Sequence, residues 1–262
     1  MSIYRPDSQL SALNRTGLLT DAHPYLLQVL RYSQEVSART RGAFDVTVQP
    51  LWETFASAAK QEQLPSEQAI ASARAKVDWR QVTISEAAVA LNKPGLKITL
   101  NGIAQGFAAD RVQAALRAGG IEHALIDAGE LAPLGHSPRG GPWRVGIQHP
   151  RHANAHIALT DLDGRALATS GDYATRFTAD LRHHHILNPH TGYSPTELSN
   201  VSILAPTALE ADALSTACFV LGPERSLSLI KALTRVDAFF VLKDGETIAT
   251  TGFPLRHEGS AA

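Results

Sequence analysis

An acidic and a hydroxyl side chain lie four residues apart in an otherwise apolar segment near the end of the chain. Thr207 and Glu210 match a capping box, which predicts that a helix begins there. The spacing of four then places Asp212 and Thr216 on one helical face. Burying an unpaired carboxylate is costly, and Mg2+ prefers oxygen ligands. The pair therefore indicates a magnesium site. The alternative is an Asp favoured by the helix dipole, with Thr216 bonded to its own backbone.

The turn at Asn101 and Gly102 is a second candidate. Gly102 lets the backbone approach a ligand closely, and a predicted helix after it offers N–H groups to an anion. Such a turn suits a pyrophosphate. It matches neither a P-loop nor a Rossmann fingerprint. A plain strand-to-helix turn capped by Asn101 is the alternative.

Three adjacent histidines, His183 to His185, raise the question of a zinc site. In a strand, neighbouring side chains point to opposite faces, so only His183 and His185 would share a side. No Glu stands at a zincin spacing. A single histidine that acts as a base, or donates to a phosphate, is the preferred interpretation.

Ser170 and Gly171 follow a predicted strand. Small hydroxyl residues beside a glycine at a strand end commonly hold a phosphate or a ribose. The same residue types are equally common in plain turns. Both interpretations stay open for this pair.

Hydrophobic periodicity predicts the elements that position these residues. Helices are expected over 24–40, with Asp21 as cap, over 66–76, from 103 to a stop at Gly119, from 207 to Gly222, and over 224–233. We expect a loop over 4–14 and an extended segment over 43–48. Strands are expected over 81–84, 89–91, 96–100, 124–126, 143–148, 155–159, 166–169, 201–204, 236–242 and 247–250.

Composition and charge exclude several classes of protein and of site. The 262 residues carry a net charge of −1, which gives no support to nucleic-acid binding. A single cysteine excludes an internal disulfide and a cysteine-based zinc site. No apolar run is long enough to span a bilayer. We expect one mixed α/β domain.

Six segments resemble, in order, the motifs of the ApbE family, the FAD:protein FMN transferases. The resemblance covers nearly the whole chain. It implies an α+β, T-fold-like domain rich in antiparallel sheet over residues 1–262, without the strand and helix that usually come first. The segments are 4–11, 42–45, 102–110, 170–173, 185–189 and 210–216.

The resemblance also implies site residues. Asp212 and Thr216 would bind Mg2+ together with a main-chain oxygen near Gly102. His185 would lie near the phosphates and, with Asp212, serve catalysis. The FAD contacts would come from Tyr4, Ala43, Phe44, Asp45, Thr99, Gln105, Ser170, Gly171 and Leu187.

This chain departs from the family pattern at several positions. Thr99 stands where the family usually has Asp, and Gln105 where it has Lys, so two charges become neutral. Residues 127–131 read Asp-Ala-Gly-Glu-Leu in place of Asn-Ala-Gly-Gly-Asp. The sequence around Thr99 and Gln105 is similar to the NosX-like branch of the family.

The implied activity is Mg2+-dependent transfer of FMN from FAD to a Ser or Thr of an acceptor flavoprotein, with release of AMP. Hydrolysis of FAD to FMN and AMP, and flavin binding without catalysis, are the alternatives. The acceptor is expected in a membrane-associated complex. Residues Met1 to Asp7 match no export signal, yet family members are usually periplasmic, so we expect that location for the full-length protein.

Overall fold

A computed structural model describes residues 1–256. It confirms the predicted fold class, a mixed α/β protein with antiparallel sheets. The chain forms two compact units. Unit 1 comprises Met1–Ala104 and Thr175–Pro195, and unit 2 comprises Gln105–Ala174 and the part from Thr196 onward. A family domain over 1–262 that lacks the usual first strand and helix stays a prediction.

Unit 1 is mainly helical, with a small antiparallel sheet in which one strand lies between the other two. Its elements are α1 (Gln9–Thr16), β1 (Leu18–Leu19), α2 (Pro24–Arg39), α3 (Gln49–Ala59), α4 (Glu67–Arg74), a 3-10 turn (Trp79–Gln81), β2 (Val82–Ile84) and β3 (Val89–Leu91). One apolar cluster of its core consists of Leu51, Phe55, Ile70, Ala73 and Leu187.

Several predictions for unit 1 are confirmed, namely α2, α4, β2 and β3, but its first segment is not the predicted loop. Helix α1 forms there because the Ser8 hydroxyl accepts a hydrogen bond from the Ser11 N–H and caps the first turn. Asp21 does not cap α2. His23 does, since its side chain accepts from the Tyr25 N–H. Helix α3 was not predicted.

Two predicted extended segments in unit 1 are wrong. Over 96–100 the main chain of Ile98 bonds to the Asn14 side chain, at 2.7 Å for both the N–H and the carbonyl, rather than to a neighbouring strand. Over 43–48 the backbone turns. Val48 and Lys97 form only an isolated bridge. Residues 182–187 are also irregular, so the strand geometry assumed for the three histidines does not apply.

Unit 2 contains two antiparallel sheets, one of six strands in the order β11-β10-β9-β8-β5-β4 and one of three in the order β12-β7-β6. The predicted elements are confirmed, while β5 and β12 were not predicted. The elements are α5 (Ala104–Ala118), β4 (Ala124–Asp127), β5 (Leu131–Leu134), β6 (Trp143–Gln148), β7 (His156–Leu162), β8 (Ala166–Gly171), β9 (Leu198–Ala205), α6 (Ala208–Leu221), α7 (Pro223–Lys231), β10 (Asp237–Leu242), β11 (Thr247–Ala249) and β12 (Leu255–Arg256).

Helix α6 packs against β8 and β9 and is buried along nearly its whole length. The Thr207 hydroxyl accepts from the Glu210 N–H at 3.2 Å, as the capping box predicted. Asp110 of α5 accepts from the N–H groups of Ala208 and Leu209 at 2.8 and 2.9 Å. The start of α6 is therefore anchored to α5. Through residue 256, none of the helices has the length and apolar character needed to cross a membrane.

Candidate functional site

Asp212 is a buried carboxylate held by the first turn of α5. Its side chain is 4% exposed, and Oδ2 accepts from the Gly106 N–H at 2.9 Å. The approach is close, because a Cβ at Gly106 would overlap the Ala208 carbonyl. Burial raises the pKa of Asp212, and the N–H groups of Gly106 and Gln105 oppose the rise. The helix terminus thus supplies partial positive charge to an otherwise desolvated acid.

Hydroxyl groups lie one helical turn beyond Asp212. Thr216 is the partly exposed member of this buried stretch of α6. The Ser170 Oγ of β8 lies 3.3 Å from the Thr216 Oγ1 and 2.8 Å from the Ser215 Oγ. The predicted residues Asp212, Thr216 and Ser170 are therefore brought together within unit 2. Gly171 is buried next to them, and a Cβ there would overlap the Tyr173 ring.

Gln105 and the hairpin between β4 and β5 are in direct contact. A Cβ at Gly129 would overlap the Gln105 side-chain amide, and Gly129 has a φ of +97°. Only glycine combines this conformation with so close an approach. The side chain of Gln105, a predicted FAD contact, thus rests on the hairpin.

Glu130 is a site residue that the sequence did not predict. It lies in the same hairpin, is 8% exposed, and its Oε2 accepts from the Thr169 N–H at 3.1 Å. Burial raises the pKa of Glu130 and repulsion from Asp212 raises it further, while the Thr169 bond opposes the shift. The sequence feature that could have identified Glu130 is the occurrence of a Glu in a turn otherwise built of small residues.

The charges around these two carboxylates are not balanced by the protein. Among residues 1–256, no Lys or Arg forms an ion pair with Asp212 or Glu130. Asp172 is the contrast, since it is fully buried and bonds to both Arg151 Nη atoms, at 2.7 and 2.8 Å, and to Lys243. Two buried acids without a cation are costly.

The donor set fits a hard cation. Carboxylate and hydroxyl oxygens are what Mg2+ prefers, and it needs few protein ligands because waters or phosphates complete its shell. In the described part of the chain, no group of three His, Cys, Asp or Glu side chains is arranged to hold a metal. The triple histidine therefore forms no such cluster there. The magnesium roles of Asp212, Thr216 and Gly102 stay predictions.

In unit 1, Asp45 is buried and fully engaged by the chain. It accepts from the Thr47 N–H at 2.7 Å, the Thr47 hydroxyl at 2.6 Å and the Trp79 N–H at 3.2 Å. Burial raises its pKa to about 6 against these bonds. Ala43 and Phe44 are buried as well. These predicted flavin contacts form a tight loop whose side chains face inward.

Another set of unit 1 residues gathers around Asn101. Its side-chain amide donates to the Tyr4 hydroxyl at 3.0 Å, and its N–H donates to the Thr99 Oγ1 at 3.3 Å. Tyr4 is 70% exposed. The predicted residues Tyr4, Thr99 and Gly102 thus lie together, with Asn101 as their link.

His185 and Leu187 complete the predicted set. The His185 Nδ1 lies 3.1 Å from the Thr175 carbonyl oxygen, which can only accept a hydrogen bond, so Nδ1 is the donor in this contact. Leu187 packs in the apolar core. A flavin contact by Leu187 would therefore have to come from its main chain. Both roles stay predictions.

Comparison with known proteins agrees with this architecture. A model of the ApbE family matches residues 1–240. FAD:protein FMN transferases from Escherichia coli K12 and Treponema pallidum are each 32% identical, covering 95% and 96% of this chain and 74% and 75% of their own lengths.

Solved structures are similar too. The ApbE protein of Thermotoga maritima superposes with a TM-score of 0.87 at 29% identity, covering 95% of this chain and 84% of that one. The flavin transferase ApbE of Vibrio cholerae gives 0.81 at 27% identity, covering 97% and 84%. With the family model matched over most of its length, the chain belongs to the ApbE family.

Proposed function

We propose that this protein is an FAD:protein FMN transferase that needs Mg2+ and modifies a Ser or Thr hydroxyl of an acceptor flavoprotein. The names of its relatives support the transferase activity and the use of FAD. The magnesium requirement is supported by one observation. The Asp212 carboxylate is buried on the helical face that also carries Thr216, without a Lys or Arg partner in the described residues.

The proposed reaction is a phosphoryl transfer. The acceptor hydroxyl oxygen forms a bond to the FMN phosphorus, the bond from that phosphorus to the bridging oxygen breaks, and AMP leaves with that oxygen. Bound Mg2+ would neutralise charge on the pyrophosphate. Asp212 and Thr216 would hold the cation through oxygen atoms. His185 or a nearby carboxylate would take the hydroxyl proton.

The test is incubation with FAD, MgCl2 and a co-expressed flavoprotein acceptor, followed by mass spectrometry of the acceptor and analysis of released nucleotides. We expect FMN on a Ser or Thr and one AMP per transfer. Asp212→Ala should lower the rate about a hundredfold or more, since it removes a charged metal ligand. The exposed Asp244→Ala serves as control.

The outcomes separate the alternatives. Asp212→Ala acting at the wild-type rate would remove the metal role. FMN and AMP without a modified acceptor would indicate hydrolysis. Bound flavin without AMP release would indicate a binding protein.

We also propose that the acceptor belongs to a membrane-associated complex and that the full-length protein is periplasmic. Both proposals follow from the family resemblance. Fractionation of cells that express the native gene, with the labelled acceptor located in the same fractions, tests them. Recovery of the protein and labelled acceptor in the cytoplasm alone would contradict them.

A further inference from the structure

Three hydroxyl side chains of unit 2, those of Ser215, Ser170 and Thr216, form a hydrogen-bonded network on α6 and β8. The Ser215 Oγ lies 2.9 Å from the Asp212 carbonyl oxygen. The Ser170 Oγ lies 2.8 Å from the Ser215 Oγ and 3.3 Å from the Thr216 Oγ1. Ser215 is only 1% exposed, so its single hydrogen goes to a protein acceptor rather than to bulk water.

The direction of each hydrogen bond in this hydroxyl network follows from the Asp212 carbonyl. A hydroxyl group has one hydrogen to donate, and a carbonyl oxygen can only accept. Ser215 therefore donates to Asp212, which uses its only hydrogen. Ser170 is then the donor in its contact with Ser215. Because the Ser170 hydrogen is used there, Thr216 is the donor in the longer contact between Thr216 and Ser170.

This order leaves the Thr216 oxygen free to act as a ligand. A helical Thr often donates to the carbonyl four residues back, which is that of Asp212 here. Ser215 occupies that carbonyl instead, and the Thr216 hydroxyl bonds to no main-chain group in the described residues. Since Thr216 donates to Ser170, neither of its two lone pairs accepts a hydrogen within the network. Such lone pairs are what a hard cation binds.

We propose that Ser215 and Ser170 are positioning residues that orient the Thr216 hydroxyl as a ligand for the divalent cation. The inference rests on the proposed function, because it concerns the same cation. The two serines act through Thr216, whose hydrogen they take up and whose lone pairs they leave available. Asp212 then contributes twice, through its carboxylate and through the carbonyl that sets the direction of the network.

The first test is the Mg2+ requirement of Ser215→Ala. This variant frees the Asp212 carbonyl, so Thr216 can donate to it and accept from Ser170, which occupies a lone pair that the cation needs. We expect the MgCl2 concentration for half-maximal FMN transfer to rise about tenfold or more. The rate at saturating MgCl2 should stay within about threefold of wild type, because the Asp212 carboxylate remains.

Ser226→Ala is the matched control. Ser226 is fully buried in the same unit and donates to the Cys218 carbonyl of α6 at 3.0 Å. The control removes the same kind of bond, from a buried serine to a carbonyl of the same helix, and leaves the hydroxyl network intact. Its Mg2+ requirement should change less than about twofold. Both variants should have similarly lowered melting temperatures, so a purely structural effect would be common to the two.

The second test does not depend on activity. Neutron diffraction from crystals of the nucleotide-free protein grown in D2O locates the hydroxyl hydrogens, which ordinary X-ray data do not show. We expect the deuterium of Ser170 to point at Ser215 and that of Thr216 to point at Ser170. A Ser170 deuterium directed at Thr216 would overturn the inference whatever the kinetics show.

The outcomes separate this inference from the transferase proposal. An equal Mg2+ requirement in Ser215→Ala and Ser226→Ala, with FMN transfer still lost in Asp212→Ala, would overturn the positioning role and leave the proposed function standing. Transfer that needs no Mg2+ would remove the cation from both proposals. A wild-type protein that transfers no FMN would contradict the proposed function, while the neutron map would still support or overturn the order of the hydrogens.

Discussion

Unit 1 and unit 2 each bury an aspartate, and the two are held in different ways. Asp45 of unit 1 accepts three hydrogen bonds, two from Thr47 and one from Trp79. Asp212 of unit 2 accepts from the first turn of α5, and its charge helps to raise the pKa of a second buried acid, Glu130. Burial raises the pKa of both.

The difference shows that a raised pKa does not by itself identify a chemical role. The donors around Asp45 are local N–H and O–H groups that fix the loop over 43–48, so that carboxylate organises its own backbone. Around Asp212 and Glu130 the described residues provide too little positive charge. That deficit, rather than burial, is the feature of unit 2 on which the proposed cation site rests.

The largest effect is expected in the free energy of unfolding, when two replacements of Asp45 are compared. Asp45→Ala should be less stable than Asp45→Asn by about 2–4 kcal/mol, since Asn keeps an oxygen for the Thr47 donors and Ala leaves them unsatisfied. Both variants remove the charge, so their difference isolates the hydrogen bonds. Urea unfolding at pH 7.5 measures it. Equal stabilities would show that the Asp45 bonds do not hold the loop.

A smaller effect concerns pH. The folded pKa of Asp45, about 6, exceeds the unfolded value of about 4. The folded state therefore holds the proton more tightly, so stability from this group is present below pH 4 and is lost as the pH rises to 6. Wild type relative to Asp45→Asn should lose about 1–3 kcal/mol across that window and little beyond it. Unfolding curves from pH 4 to 7.5 measure this loss. A flat difference would argue against a raised pKa.

The smallest effect should have the opposite sign. Asp212→Asn in protein stripped of metal by chelation should be as stable as wild type, or more stable by up to about 1 kcal/mol, because it removes a desolvated carboxylate charge and keeps an oxygen for the Gly106 N–H. Thermal unfolding measures it. Added MgCl2 should then raise the melting temperature of wild type but not of the variant. A variant that is clearly less stable without metal would make Asp212 a structural residue like Asp45.

Much of unit 2 could be predicted from sequence because its signals are local. The capping box at Thr207 and Glu210 places α6, and helical spacing then sets Asp212 and Thr216 on one face. Short apolar runs bounded by turn residues likewise predict most strands of the larger sheet. Glu130 could not be predicted in the same way, since its role depends on β8 and α6, which are distant in sequence.

Unit 1 shows that an alternating hydrophobic pattern does not ensure that a segment pairs as a strand. Burial alternates along 96–100 as the sequence predicted, with Leu96, Ile98 and Leu100 buried. Nevertheless no strand pairs there, because Asn14 takes the main-chain bonds of Ile98. Alternation therefore predicts which side chains are buried, but it does not predict which backbone groups form hydrogen bonds with a neighbouring strand. A side chain 84 positions away decides the latter.

The anchoring of α6 by Asp110 has a consequence for how anionic ligands are accommodated. The positive end of a helix is ordinarily a natural landing point for phosphate. Here the chain fills that position itself, with one carboxylate spanning two successive amides and a threonine taking a third. A dinucleotide could bind at this terminus only by displacing the Asp110 carboxylate, so any contact of α6 with the proposed dinucleotide would come from the side of the helix and not from its N-terminus.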